Sequence, residues 1–141
     1  MSIANRTLTQ LRALRLTTMA EAYENQLLQP KLHEFGFDER LAMLVDQEQN
    51  ERESRKLKRL IRDAALPDRA SLEDIEFRPD RGLEKQIVAN LSSCEWIKRQ
   101  LNVIILGATG VGKTWLASAF GNQACRLRLP VMFYRASDLY E

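Results

Sequence analysis

The sequence predicts an α/β chain in two parts. An all-α N-terminal domain spans residues 1–66, and the opening βαβ unit of a P-loop nucleoside triphosphatase fold spans 67–141. Three observations carry this. Gly107-Ala108-Thr109-Gly110-Val111-Gly112-Lys113-Thr114 has the spacing G-x-x-x-x-G-K-[ST] of a phosphate-binding loop. Asn102-Val103-Ile104-Ile105-Leu106 before it is a continuous apolar, β-branched run, as expected of a strand buried on both faces. Before Pro67, apolar residues recur at helical intervals.

Leu8, Leu11 and Leu14 mark a first helix over about 5–14. Thr17 or Thr18 is placed to cap a second, carrying Met19, Ala20, Tyr23, Leu27 and Leu28 and stopped by Pro30. A linker with Gly36 follows, and Asp38 is a good N-cap for a long third helix with an acidic first turn. The stripe of that helix is Leu41, Leu44 and Val45, then Leu57, Leu60, Ile61 and Ala64. Its polar middle, 46–55, is poorly supplied with core residues and is expected to face solvent or a partner. Pro67 sets the domain boundary. Leu83, Ile87, Val88 and Leu91 then predict a helix over about 81–96. Past the glycine loop, Trp115, Leu116, Ala119 and Phe120 begin a helix that ends near 126–129 before Pro130, and Val131-Met132-Phe133-Tyr134 reads as a second strand. Strand, glycine loop, helix, strand is the context that the motif requires; the competing reading is a chance match in an ordinary strand-to-helix turn.

The loop's residue types dictate its chemistry. Consecutive backbone N–H groups solvate phosphate where no side chain blocks them, and Gly107, Gly110 and Gly112 give the chain that freedom. The helix opening near Gly112 adds unsatisfied N–H groups and the positive end of its dipole. Lys113 is placed to reach the β- and γ-phosphates, and the Thr114 hydroxyl to ligate Mg²⁺. The loop reads phosphates only and does not separate adenine from guanine.

Bulk properties narrow the classes. With 45% apolar and 28% charged residues, the 141-residue chain has the composition of a water-soluble globular protein. No run approaches the ~18–20 apolar residues of a membrane span, and residues 1–6 lack the apolar core expected of a secretory signal. A cytoplasmic location is expected. Cys94 and Cys125 have no metal-ligand spacing and read as reduced core or boundary thiols, and His33 as a surface residue. Net charge is only +2, so nucleic-acid affinity requires a local patch. Arg52, Arg55, Lys56, Lys58, Arg59 and Arg62 lie within eleven residues that contain one acid, Glu53. The run is either a solvated helix face or a set of phosphate-backbone contacts with salt-dependent affinity.

Together these segments resemble a known family. GATGVGKTWLASAFG, with Leu14-Arg15-Leu16 and Met19-Ala20, Phe37-Asp38-Glu39-Arg40-Leu41, Leu44-Val45-Asp46, the basic-apolar helix 56–66, Glu73-Asp74-Ile75, Arg81-Gly82-Leu83 and Cys94-Glu95-Trp96-Ile97, is similar to the IstB-like ATP-binding proteins of bacterial insertion sequences. These are relatives of the replicative helicase loader. The resemblance implies an AAA+ ATPase that uses ATP and Mg²⁺, assembles on double-stranded DNA and works with the transposase of the same element. It makes the loop residues 107–114 the ATP ligands, with Thr114 toward the metal, and the helical domain a contact for assembly or partner. It also places Phe77-Arg78 near the base. Ala108 stands where many members have proline, at a position contributing a turn and no ligand.

The resemblance covers essentially the whole chain, which ends after the second predicted strand, so the AAA+ part is expected to be truncated. By the resemblance, the acidic pair after the third strand, the polar sensor and the arginine finger are expected to lie outside these residues, Asp138 and Glu141 are not expected to replace them, and no catalytic residue is assigned. Residues 137–138 are expected to cap a next helix. Without the third strand, the two predicted strands either destabilise this half or pair directly. Alternative functions are a helicase-loader-like replication ATPase and an ATP-independent helical module binding DNA or protein. A small-molecule kinase fits the helical leader poorly.

Overall fold

The computed structural model describes residues 1–140. Six α-helices occur among them: α1 (Ile3–Ala13), α2 (Thr17–Leu28), α3 (Phe37–Ala64), α4 (Lys85–Ser92), α5 (Glu95–Lys98) and α6 (Lys113–Arg126). Short 3-10 turns lie at Pro30–Glu34, Leu72–Asp74, Pro79–Arg81 and Ala136–Leu139. The chain forms two compact units, Met1–Arg55 and Lys56–Glu141. Among the described residues no helix is long and apolar enough to cross a membrane.

In the first unit, Leu8, Ala20, Ala22 and Leu44 are buried, and the alanines leave room for close helix approach. The start of α2 differs from expectation. Neither Thr17 nor Thr18 caps it; instead Glu48, buried in α3, accepts the Met19 N–H at 2.9 Å. The polar middle of α3 is therefore not wholly solvated, because one of its carboxylates supplies the missing cap of another helix. Asp38 is likewise not the cap of α3. The helix starts one residue earlier, and Glu39 reaches back to the Gly36 N–H at 3.2 Å, half of a capping box. Buried Gln26 is satisfied by donating to the Arg40 carbonyl at 2.9 Å.

Three helices end in Schellman closures without glycine. Arg15, Gln100 and Arg128 take positive φ, and the next residue's N–H returns to the helix: Leu16 to Leu11, Leu101 to Trp96, Leu129 to Ala124. A similar interruption splits the single helix expected over 81–96. Gly82 and Cys94 are both left-handed, leaving α4 and the one-turn α5.

In the second unit, Ser118, Ala119, Phe120, Ala124 and Cys125 of α6 are buried, with Ala64, Ala70, Val88 and Cys94. The segment after α3 is strapped onto α6. A Cβ on Gly121 would lie 2.8 Å from Leu66 Cδ2, Asn122 donates to the Ala70 carbonyl at 3.0 Å, and Arg126 binds Glu73 and Ser71, both at 2.8 Å. The Phe133 N–H donates to the Ala64 carbonyl at 3.0 Å.

The α/β expectation fails: among the described residues there is no β-strand. Residues 102–106 and 131–134 form neither helix nor ladder, and no backbone hydrogen bond joins one to the other. Both line one apolar cavity of about 360 Å³, with Val103 and Ile105 from the first, Val131 and Met132 from the second, and Phe120 and Ala124 of α6 behind them. A strand exists through its partner, and here neither candidate has a backbone ladder to the other. Nor is 102–106 covered on both sides. Val103 and Ile105 are half-buried while Ile104 and Leu106 are 80% and 87% exposed. Residues 131–134 alternate the same way. The caps expected at Ser137 or Asp138 are also absent, since Arg135 precedes the 3-10 turn with no side-chain bond; Glu141 lies outside the described residues.

Candidate functional site

The glycine loop leads directly into α6, as its spacing requires. Gly110 and Gly112 have φ of +83° and +99°, where an L side chain is strained. Gly107 is constrained differently and more mildly: a Cβ there would meet Val111 Cγ2, on an exposed side chain, at 3.0 Å. Gly112 is the N-cap of α6 and offers no side chain, so the first-turn N–H groups are left for a ligand. No acid occupies that turn, and Arg126 sits in the last, so both ends suit the dipole and the N-terminus suits an anion.

Lys113, the first residue of α6, folds back over the loop and donates to the Gly107 and Ala108 carbonyls at 2.6 and 2.8 Å. Its ammonium is thereby held above the turn where phosphate oxygens would replace the carbonyls. Thr114 and Val111 are exposed. Glycine conformations, uncapped amides and a local ammonium together fit a polyphosphate.

Gly110, Val111, Gly112 and Lys113 line a cleft of about 850 Å³. Its remaining wall comes partly from Trp115 and Ile105 and partly from the distant stretch 74–83, including Asp74, Glu76 and Asp80. Sequence spacing places Trp115 only as an apolar helix residue, and nothing in the spacing signals that the acidic stretch faces the loop. Phe77 and Arg78 are not in that wall; Arg78 pairs with Glu76 at 2.6 Å.

All six basic candidates are exposed on α3. At ~100° per residue they occupy an arc of about 160°, opposite Leu57, Leu60, Ile61 and Ala64. They are not equivalent. Arg52 and Arg55 pair with Glu48 and Glu51 one turn earlier, and Arg62 pairs with Asp63. Lys56, Lys58 and Arg59 have no acidic partner among the described residues.

Cys94 and Cys125 are free, buried thiols, and burial pushes the pKa of each up, so neither is poised for redox chemistry. His33 is exposed. Among the described residues no His, Cys, Asp or Glu group forms a metal-binding set.

The chain is 43% identical over 136 residues to a protein of insertion sequence IS1162 from Pseudomonas fluorescens that is named for ATP binding. It is 35% identical over 138 residues to a similarly named insertion-sequence protein of Sinorhizobium fredii, and 33% over 123 residues to that of IS21 from Pseudomonas aeruginosa. The matches cover 96%, 98% and 87% of this chain but 59%, 56% and 46% of those relatives. It thus spans about half the length of these relatives. The family model described as IstB-like ATP binding protein matches residues 9–141, nearly the whole sequence. With its phosphate loop intact at the head of α6, the chain belongs to the IstB-like ATP-binding protein family.

Proposed function

We propose that this chain holds the nucleotide in an ATP-binding helper protein for transposition of an insertion sequence. The observation that carries the reading is the 107–114 loop, with its two left-handed glycines, the uncapped N-terminus of α6 and the ammonium of Lys113. In this reading the loop amides and Lys113 hold the β- and γ-phosphates, and the Thr114 hydroxyl contributes one oxygen to a Mg²⁺ ion that the nucleotide carries in. The Lys113 ammonium leaves the Gly107 and Ala108 carbonyls for phosphate oxygens, exchanging neutral acceptors for charged ones. The names of the relatives favour transposition over replication, and the transposase of the same element is the protein partner assigned. The test is equilibrium binding of Mg-ATP to the intact chain and its Lys113→Ala variant. Saturable binding, lost or greatly weakened in the variant, supports the reading; equal binding by both refutes it.

A second reading concerns DNA. Lys56, Lys58 and Arg59 are exposed cations that form no ion pair among the described residues, and neighbouring like charges favour an anionic partner. We assign them, with Arg62 and more weakly the paired Arg52 and Arg55, to the phosphate backbone of double-stranded DNA. Replacing Lys56, Lys58 and Arg59 by glutamine is expected to lower DNA affinity and to flatten its dependence on log[salt] by about 0.9 per lost contact. An unchanged slope in a filter-binding series from low to moderate salt would remove this assignment.

A further inference from the structure

The cleft beside the loop has two chemically different ends. One carries donors: the 110–112 backbone and the Lys113 ammonium. The other carries three carboxylates, Asp74, Glu76 and Asp80, with one cation, Arg81, among them, and is acidic on balance. Glu76 is engaged by Arg78, whereas the Asp74 and Asp80 side chains have no hydrogen-bond or ion-pair partner among the described residues. Between the two ends, Trp115 lines the cleft with Ile105 and Leu83. It stands in the first turn of α6, two residues from Lys113, and is half-buried. Its indole N–H has no partner among the described residues, unlike that of Trp96, which donates to the Leu91 carbonyl at 3.1 Å.

An aromatic side chain left accessible inside a polar cleft offers a flat apolar face, and unpaired carboxylates accept from hydroxyl and amino groups. A free polyphosphate uses neither. The nucleoside half of a nucleotide uses both: its base for stacking, its ribose hydroxyls for donation. We propose that Trp115 is the base-contacting residue of this chain, with the nucleoside lying against Trp115 and the 74–83 wall while the phosphates occupy the loop. This rests on the nucleotide reading above but adds a specificity residue and an orientation that the loop motif does not contain.

The experiment compares the intact protein with Trp115→Leu and Trp115→Phe, titrating each with Mg-ATP and with magnesium tripolyphosphate by calorimetry. Tryptophan emission of the unsubstituted protein is followed in parallel. Trp115→Leu is expected to weaken Mg-ATP about tenfold, in line with a lost base–aromatic stack, while leaving tripolyphosphate within twofold. Trp115→Phe, which keeps an aromatic face, is expected to restore most of that loss. Mg-ATP is expected to change the emission of the unsubstituted protein and tripolyphosphate to leave it unaltered. If Mg-ATP binds the intact protein but Trp115→Leu binds it equally well and emission is silent, Trp115 does not contact the base and the loop reading survives. If neither ligand binds the folded, intact protein, the loop reading falls and takes this one with it.

Discussion

Replacing Gly112 by alanine isolates the backbone's part in phosphate binding. Gly112 has φ of 99° and ψ of 23° at the head of α6, and a Cβ added there meets no heavy atom within 4 Å. The new methyl group therefore clashes with nothing, and any effect comes from φ alone. Holding an L residue in the left-handed region costs about 1–2 kcal/mol, and up to ~3 kcal/mol toward its strained margin. The loop relaxes away from the binding conformation, so apparent affinity falls by the fraction of molecules still in it, about 5- to 150-fold. Calorimetry with Mg-ATP, beside a thermal melt to confirm folding, measures this. Gly107→Ala is the control. Its new Cβ sits 3.0 Å from Val111 Cγ2, but Val111 is 58% exposed and free to rotate, so a smaller loss is expected. If Gly112→Ala binds Mg-ATP within twofold of the unsubstituted chain, or loses less than Gly107→Ala, the left-handed turn is not what arranges the amides.

Glu48→Ala removes the cross-helix cap of α2 and its bond to Arg52, and should cost about 2 kcal/mol in urea unfolding, with early exchange of the Met19 amide. Burial raises the Glu48 pKa, but the Met19 N–H and the Arg52 and Arg55 charges outweigh it and hold the carboxyl below its ordinary 4.5. Its contribution is thus full above that value and lost as pH falls through the lower folded one, so Glu48→Gln should blunt the acid limb of the stability profile. Arg15→Gly, at the φ of +61° that closes α1, should raise stability by up to about 1 kcal/mol, provided the added freedom of the unfolded chain does not offset the relieved strain. A lower midpoint on chemical denaturation would show that the arginine side chain contributes more than its backbone costs.

Local signals in this sequence were faithful where one residue type has one mechanism. Pro30 ends α2, Pro130 follows the exit of α6, and the glycine loop meets a helix at its eighth-residue side as the motif demands. What stayed hidden depends on distant partners. Glu48 reads as one more solvated acid in a charged stretch until it meets α2 from 29 residues away. The Schellman closures at Arg15, Gln100 and Arg128 lack the glycine that announces such turns, so nothing local separates them from helix interior. The β-branched runs at 102–106 and 131–134 keep a strand's alternation of exposure, but pairing is not a property of either run alone, and no backbone hydrogen bond joins them. Within the site, the loop was legible because its chemistry is contiguous. The wall at 74–83 was not, since it reaches the cleft through tertiary structure alone.

The central claim is that the amides of 107–114 and the Lys113 ammonium form a polyphosphate socket, and isothermal titration of the intact, folded chain with Mg-ATP at millimolar concentration tests it most directly. One saturable site per chain, abolished by Lys113→Ala, is the predicted result. A flat titration from protein whose circular dichroism shows native helix would contradict it.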